Sequence, residues 1–162
     1  MGRRVGIIGV LVAAVLVTGA ALNVAHADID LDATNDSAVQ TRKLQTELMV
    51  SALYCGQQAR YNAFVRRFES ELVVSGQKLK ALFVSRHGAR QAVPKLDTYL
   101  TRLANEESQR RLTLGNRYCQ DAKALFTEVL LLGQAELIAF ASSRASTPLP
   151  FGRVTLLQNR LN

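Results

Sequence analysis

The sequence predicts an all-α fold: a helical bundle of about four main helices, one interhelical disulfide and a disordered C-terminal tail. Three observations predict it. Apolar residues recur at steps of three and four through most of residues 37–143, the spacing of one helix face. No period-two run is long enough to build a sheet. The chain has two cysteines, Cys55 and Cys119, and each falls on a helical stripe directly after a tyrosine. Hydrophobic residues make up 48% of the 162 and charged residues 20%, which suits one small globular domain and not a disordered chain. With no tryptophan, the core has to come from Leu, Val, Ala and a few Phe.

The first stretch reads as a targeting segment. Arg3 and Arg4 precede an uncharged apolar run, Val5 to Leu22, and Ala25-His26-Ala27 supplies small residues at the positions signal peptidase accepts. Residues 1–27 are therefore expected to be a signal peptide cut after Ala27. An uncut anchor is the alternative, because the run is nearly long enough to span a bilayer. Removing Arg3 and Arg4 lowers the net charge from +7 to +5 (7 − 2). Residues 28–36, with Asp28, Asp30, Asp32 and Asp36, form a flexible acidic leader. Export implies a periplasmic or secreted location, and there two cysteines most simply pair.

Helix A is expected from Ser37 to near Gln58, capped by Asp36 or Ser37. Leu44, Leu48, Ala52, Cys55 and Ala59 make its stripe, and Gly56 marks a bend or an end. Helix B is expected from Asn62, a good cap, to Arg86, with Phe64, Phe68, Leu72, Leu79, Leu82 and Phe83 facing the core. Ser75-Gly76 weakens its middle and is a candidate kink. His87-Gly88 closes it.

Helix C is expected to start near Pro94 and end near Leu114-Gly115-Asn116, with Leu96, Leu100, Leu103 and Ala104 inward and Tyr99 at the edge. Helix D carries Cys119, Ala122, Phe126, Val129 and Leu130 and stops near Gly133. A short helix over 134–143 follows, through Leu137, Ile138 and Ala141. Residues 37–143 thus form the bundle domain. Residues 144–162, with Pro148 and Pro150, have no helical pattern, and Phe151, Val154, Leu156 and Leu157 are their apolar exceptions.

The chemistry-bearing motifs are few. Arg86-His87-Gly88-Ala89-Arg90 resembles the Arg-His-Gly-x-Arg signature of histidine acid phosphatases, in which the histidine takes the phosphoryl group. The resemblance covers five residues. The expected proline is displaced to Pro94, and His26 leaves with the signal, so His87 stands without the second histidine that family needs. A helix C-terminus explains the same residues, since basic groups favour the negative end of the dipole. Thr155-Leu156-Leu157-Gln158 resembles the Thr-x-x-Gln motif of periplasmic helical stress chaperones, once and in the tail. Glu106-Glu107 and Arg110-Arg111 read as a solvated face. Two cysteines and one histidine fall short of a structural zinc site, and remote cysteines differ from a Cys-x-x-Cys redox pair. No cofactor or metal is expected.

The segments Cys55-Gly56-Gln57-Gln58-Ala59-Arg60-Tyr61-Asn62-Ala63-Phe64-Val65, Tyr99-Leu100-Thr101-Arg102-Leu103-Ala104-Asn105-Glu106 and Arg117-Tyr118-Cys119 resemble small exported two-cysteine helical proteins of alphaproteobacteria. The resemblance spans about residues 45–130. That group has no assigned activity, so the resemblance supplies no catalytic residue. Gln58, Arg60, Asn62 and Asn105 are read as groups that satisfy helix ends near the cysteines.

The expectation is an exported, non-enzymatic helical protein of the bacterial envelope with a structural or protein-interaction role. The alternative is a module that binds an anionic envelope component through a surface of Arg60, Arg66, Arg67, Arg86 and Arg90. A hydrolase using His87 is the distant third. Nucleic acid is not an expected partner, and membrane contact is expected only through an uncut segment 1–27. Alkylation of the exported protein without reductant is expected to label no thiol; two labelled cysteines would remove the cross-link.

Overall fold

The computed structural model describes residues 36–146. The expected signal segment, the leader apart from Asp36, and the chain beyond Ser146 lie outside the described residues. Within 36–146 the fold is all-α, with five helices and a short 3₁₀ turn. No described helix is long and apolar enough to cross a membrane.

Helix α1 (Ser37–Cys55) starts at Asp36, whose carboxylate accepts the N–H groups of Ala38 at 2.9 Å and Val39 at 3.4 Å. This satisfies two donors that a helix N-terminus leaves free. Asp36 therefore belongs to the bundle and not to the leader. The helix ends at Cys55, before the expected Gln58, because Gly56 turns left-handed (φ 66°, ψ 32°) and sends its N–H back to the Ala52 carbonyl. Ala59, expected on the same stripe, lies past that turn and is exposed.

Helix α2 (Gln58–Arg67) begins directly after this turn, so Asn62 lies inside it and caps nothing. The expected long helix B is then interrupted at Phe68 (φ −113°, ψ 25°) and not at Ser75-Gly76. A side chain meets the backbone at the interruption. The Arg67 carbonyl, which would serve the next helical turn, instead accepts Gln134 Nε2 at 3.2 Å. Gly76 stays helical, with Leu79 buried one turn further on and Ser75 buried beside it.

Helix α3 (Glu69–Leu114) is a hairpin of two arms, 69–87 and 89–114, joined at Gly88 (φ 73°, ψ 157°). A straight helix would hold Phe83 and Tyr99 about 24 Å apart. Their ring centroids are 5.6 Å apart, so the chain folds back between them. The backbone angles of Gly88 are open to glycine and nearly closed to other residues. The second arm resumes at once, which puts Pro94 inside it and not in its first turn. The carbonyl that Pro94 leaves free belongs to Arg90, an exposed residue. Tyr99, expected at the edge, is buried between the arms at 4% exposure.

Helix α4 (Asn116–Leu131) follows Gly115, and the 3₁₀ turn Gln134–Glu136 leads into α5 (Leu137–Ser146). Helix α5 runs three residues past the expected boundary at 143, since no glycine or proline lies between Ser143 and Pro148. Two cores flank α1. Leu44, Leu48 and Ala52 pack with Phe64, Phe68, Phe126, Val129 and Leu137; Ala38 and Val39 pack with Leu79, Phe83, Ala92, Tyr99 and Leu103. Each buried Phe or Leu contributes about 1.5–3 kcal/mol by removal from water.

Two glycines should respond oppositely to alanine. Gly76 is helical with open space at its Cβ position, so Gly76→Ala is expected to raise stability by about 1 kcal/mol. Gly88 also has open space but a positive φ, so Gly88→Ala is expected to cost about 1–3 kcal/mol through the backbone alone. Urea unfolding midpoints check both.

Candidate functional site

The candidate site is the end of the bundle where the cysteines sit. There the last turn of α1, the start of α2, the end of α3 and the first turn of α4 meet. Cys55 and Cys119 form a disulfide with Cα atoms 5.5 Å apart, joining residues separated by 64 positions. Loop-closure entropy assigns such a link about 4 kcal/mol as an upper figure. Both cysteines are half-buried and not in the core, where the stripes put them, because each lies in a terminal turn of its helix.

Local hydrogen bonds finish the helix ends. Gln57 Nε2 donates to the Cys55 carbonyl at 3.2 Å, a task the sequence reading gave to Gln58. Arg60 Nη1 donates to the Lys123 carbonyl at 3.2 Å and lies 3.4 Å from Thr127 Oγ1, which ties α2 to α4. Gln58, Asn62 and Asn105 are exposed. The Arg111 guanidinium lies 4.2 Å from the centre of the Tyr54 ring, a cation–π contact across α1 and α3. Arg111 Nε is buried without a hydrogen bond. Around this stack, Leu53, Tyr54 and Leu112 are exposed by 66%, 51% and 62%.

One turn further into the bundle is a cluster of charges that the sequence did not reveal. Arg110 Nη1 is 2.7 Å from Glu47 Oε1 and 3.2 Å from Glu107 Oε2. Arg144 Nη2 reaches the other oxygen of Glu47 at 3.1 Å. Glu107 and Arg110 thus belong to a half-buried network linking α1, α3 and α5, and not to a solvated face. Glu106 does form an exposed i,i+4 pair, but with Arg102 at 2.7 Å and not with Arg110. Lys43, Thr46, Leu103 and Glu106 line an open groove of about 410 Å³ beside the cluster.

The charges in this cluster shift each other's titration. Burial, and then the Glu47 carboxylate, push the Glu107 carboxyl above its usual range; Arg110 opposes this without cancelling it. Burial works against the Arg110 charge, but Glu47 and Glu107 outweigh it and hold the guanidinium above its usual value. The Tyr118 hydroxyl is buried close enough to Glu107 to feel its charge, yet outside hydrogen-bond geometry. Burial first, and Glu107 next, raise its pKa.

The five arginines of the expected anionic-ligand surface do not gather. Arg60 is occupied as described. Arg67 donates through Nε and Nη2 to the Leu132 carbonyl at 3.1 and 2.7 Å, closing the end of α4. Arg66 is exposed on α2. Arg86 and Arg90 flank Gly88 at the far end of the first α3 arm, which is about 27 Å long from Glu69. Arg86 is half-buried, with Nη1 enclosed and without a hydrogen bond, and Arg90 is exposed. His87 is half-buried with its ring 5.6 Å from that of Phe83, so the phosphatase-like motif straddles a helix break. Among the described residues no group of three or more His, Cys, Asp or Glu is placed to hold a metal ion.

The raised Glu107 gives a pH signature. The folded protein keeps this proton over a window where the unfolded chain has lost it. The group's contribution is complete below about pH 4.5 and falls away as pH rises through the raised value. Glu107→Gln removes that loss. Its stability relative to wild type is therefore expected to improve steadily from about pH 4.5 to pH 7 in urea unfolding; a constant difference would show that Glu107 titrates ordinarily. No protein-family model matches the chain, and no curated protein or solved structure matches it.

Proposed function

We propose that the chain is an exported protein of the bacterial envelope that works by binding, not by catalysis, through the disulfide end of the bundle. The observation that carries this reading is the exposure of Leu53 and Tyr54 beside the cross-linked Cys55, and of Leu112 beside Arg111, which stacks on Tyr54. Single exposed apolar residues need no explanation, but apolar side chains collected at one place mark interaction surfaces. The Tyr54–Arg111 stack brings the two chain segments together. The disulfide fixes the turn that bears Leu53 and Tyr54 to the first turn of α4 before any partner arrives, which lowers the entropy lost on binding.

Two further observations favour this reading over its competitors. Arg60 donates to a carbonyl of α4 and Arg67 to that of Leu132, which caps it, so their placement is explained by the fold without an anionic ligand. Packing against Phe83 likewise accounts for His87. The envelope location rests on the export segment read from residues 1–27 and on a disulfide suited to an oxidising compartment.

The reading is tested in an expressing bacterium by fractionating the processed protein, identified by mass. Wild type is expected in the envelope-associated fraction. Leu53→Ser combined with Leu112→Ser is expected to move it to the soluble fraction, with the melting temperature unchanged. The same distribution for both forms would remove the reading.

A further inference from the structure

A groove of about 310 Å³ runs between α1 and the first arm of α3. Ala38, Leu72, Val73 and Leu79 give it apolar walls, and Val73 is 54% exposed. Gly76 lines it with nothing within 4 Å of its Cβ position, so the groove is open there. The two helices run antiparallel, since Leu79 packs with Ala38 while Leu72 packs with the core of Leu44 and Leu48. Arg42 and Glu69 are the charged residues of the lining. Arg42 donates to the neutral side chain of Gln45 at 2.8 Å, and among the described residues no carboxylate pairs with it. Glu69 precedes Leu72 on the arm and so lies at the end of the groove away from Ala38.

The groove begins where the acidic leader ends. Asp36 caps α1 two residues before Ala38. Ahead of it stand Asp28-Ile29-Asp30-Leu31-Asp32-Ala33-Thr34-Asn35. In an extended chain this alternation puts Ile29, Leu31 and Ala33 on one face and the three carboxylates on the other. The run is too short to build a sheet but long enough to fill a groove. Ile29 and Leu31 lie about 6.6 Å apart when extended, and the α1 wall from Ala38 to Gln45 is about 10.5 Å long. Eight residues reach about 26 Å. That covers this wall and a reversal at Thr34-Asn35, residue types that favour turns.

We propose that, once the chain is cut after Ala27, residues 29–33 fold back into this groove as an intramolecular strap. Ile29 and Leu31 cover Leu72, Val73 and Leu79. Asp30 and Asp32 stay on the open side within reach of Arg42. The α-amino group that the cut leaves on Asp28 lies at the Glu69 end, so each charge of the groove meets its opposite. The tether at Asp36 raises the local concentration of the leader to about the millimolar range, so modest contacts suffice. The C-terminal segment fits less well: it carries Arg153 and Arg160, which Arg42 repels, and has no such alternation. The proposal rests on the cut in the reading above and not on the binding surface at the disulfide end.

The test uses the protein purified from the periplasmic fraction, with the cut established by mass. Endoproteinase Asp-N cleaves before Asp30 and Asp32, and each rate is compared with that of a free peptide of residues 28–36 of the same sequence. Wild type is expected to be cut at least tenfold more slowly than its peptide, because only the undocked fraction is open to the enzyme. Ile29→Ser with Leu31→Ser is expected to remove at least most of this protection. Arg42→Gln is expected to speed cleavage by up to about fivefold at low salt and less at high salt. Nuclear Overhauser contacts between the Leu31 and Val73 methyl groups are expected in wild type and absent from the double variant, and circular dichroism shows that both are folded. A wild-type leader cut as fast as its peptide, or a double variant as protected as wild type, would overturn the proposal. Contacts to Val73 from Phe151 or Leu156 in place of Leu31 would give the groove to the C-terminal segment, and protection that rises with protein concentration would give it to a second copy; either overturns the proposal. A chain that keeps residues 1–27 overturns the cut and the strap together. A cut chain with an undocked leader overturns the strap alone and leaves the export reading standing.

Discussion

Helix α1 is enclosed on nearly every side, and this burial constrains the rest of the molecule. Val39 faces one core, Leu44 and Leu48 face the other, and Gln40, Thr41, Thr46 and Ser51 are buried between them. A helix enclosed in this way must satisfy its polar side chains internally. Thr41 and Ser51 donate to carbonyls of α1 itself, those of Ser37 at 2.8 Å and Leu48 at 3.1 Å. The surrounding helices can then pack against α1 without supplying a partner for either hydroxyl. Each is amphipathic in its own right and fills one side.

The cross-link lies where this arrangement is weakest. Residues 53–57 leave the cores, and α4 supplies no residue to the core around Leu44 and Leu48 before Leu125. Cys55–Cys119 holds the same two helices beyond that core, at the last turn of α1 and the first turn of α4. The Glu47 network acts further in and on a different helix, drawing α5 through Arg144 onto α1 while Arg110 does the same for α3. Partly buried ion pairs add little net stability unless they are well hydrogen-bonded. Their clearest effect here is to fix which helix meets which, because Glu47 accepts from two arginines that lie 63 and 97 residues away.

Elements set by local pattern were legible in the sequence. The stripes of α1, of both α3 arms and of α4, the cap at Asp36, the breaks at Gly56, Gly88 and Gly115, and the cysteine pairing all follow from spacing and residue type. The misreadings share another cause. The break at Phe68 coincides with a contact from Gln134, 67 residues from the carbonyl it reaches. Gly76 remains helical because buried Ser75 and Leu79 hold it in register, so packing overrides a weak propensity. Tyr99 enters the core only because the hairpin at Gly88 brings Phe83 to it. At the site, the cysteines were visible as a landmark. The ion network and the exposed leucines were not, since helical phase alone cannot say which neighbour covers a given face.

The adjacent residues Arg110 and Arg111 show how one helix separates structural charge from available charge. They differ by about 100° around α3. Arg110 therefore points to Glu47 and Glu107 and is neutralised inside the bundle. Arg111 points to Tyr54, whose ring positions the guanidinium through its face and leaves the positive charge intact. A carboxylate in place of Tyr54 would hold Arg111 equally well but cancel its charge. Aromatic stacking orders the cation, and the disulfide orders the turn that bears the aromatic.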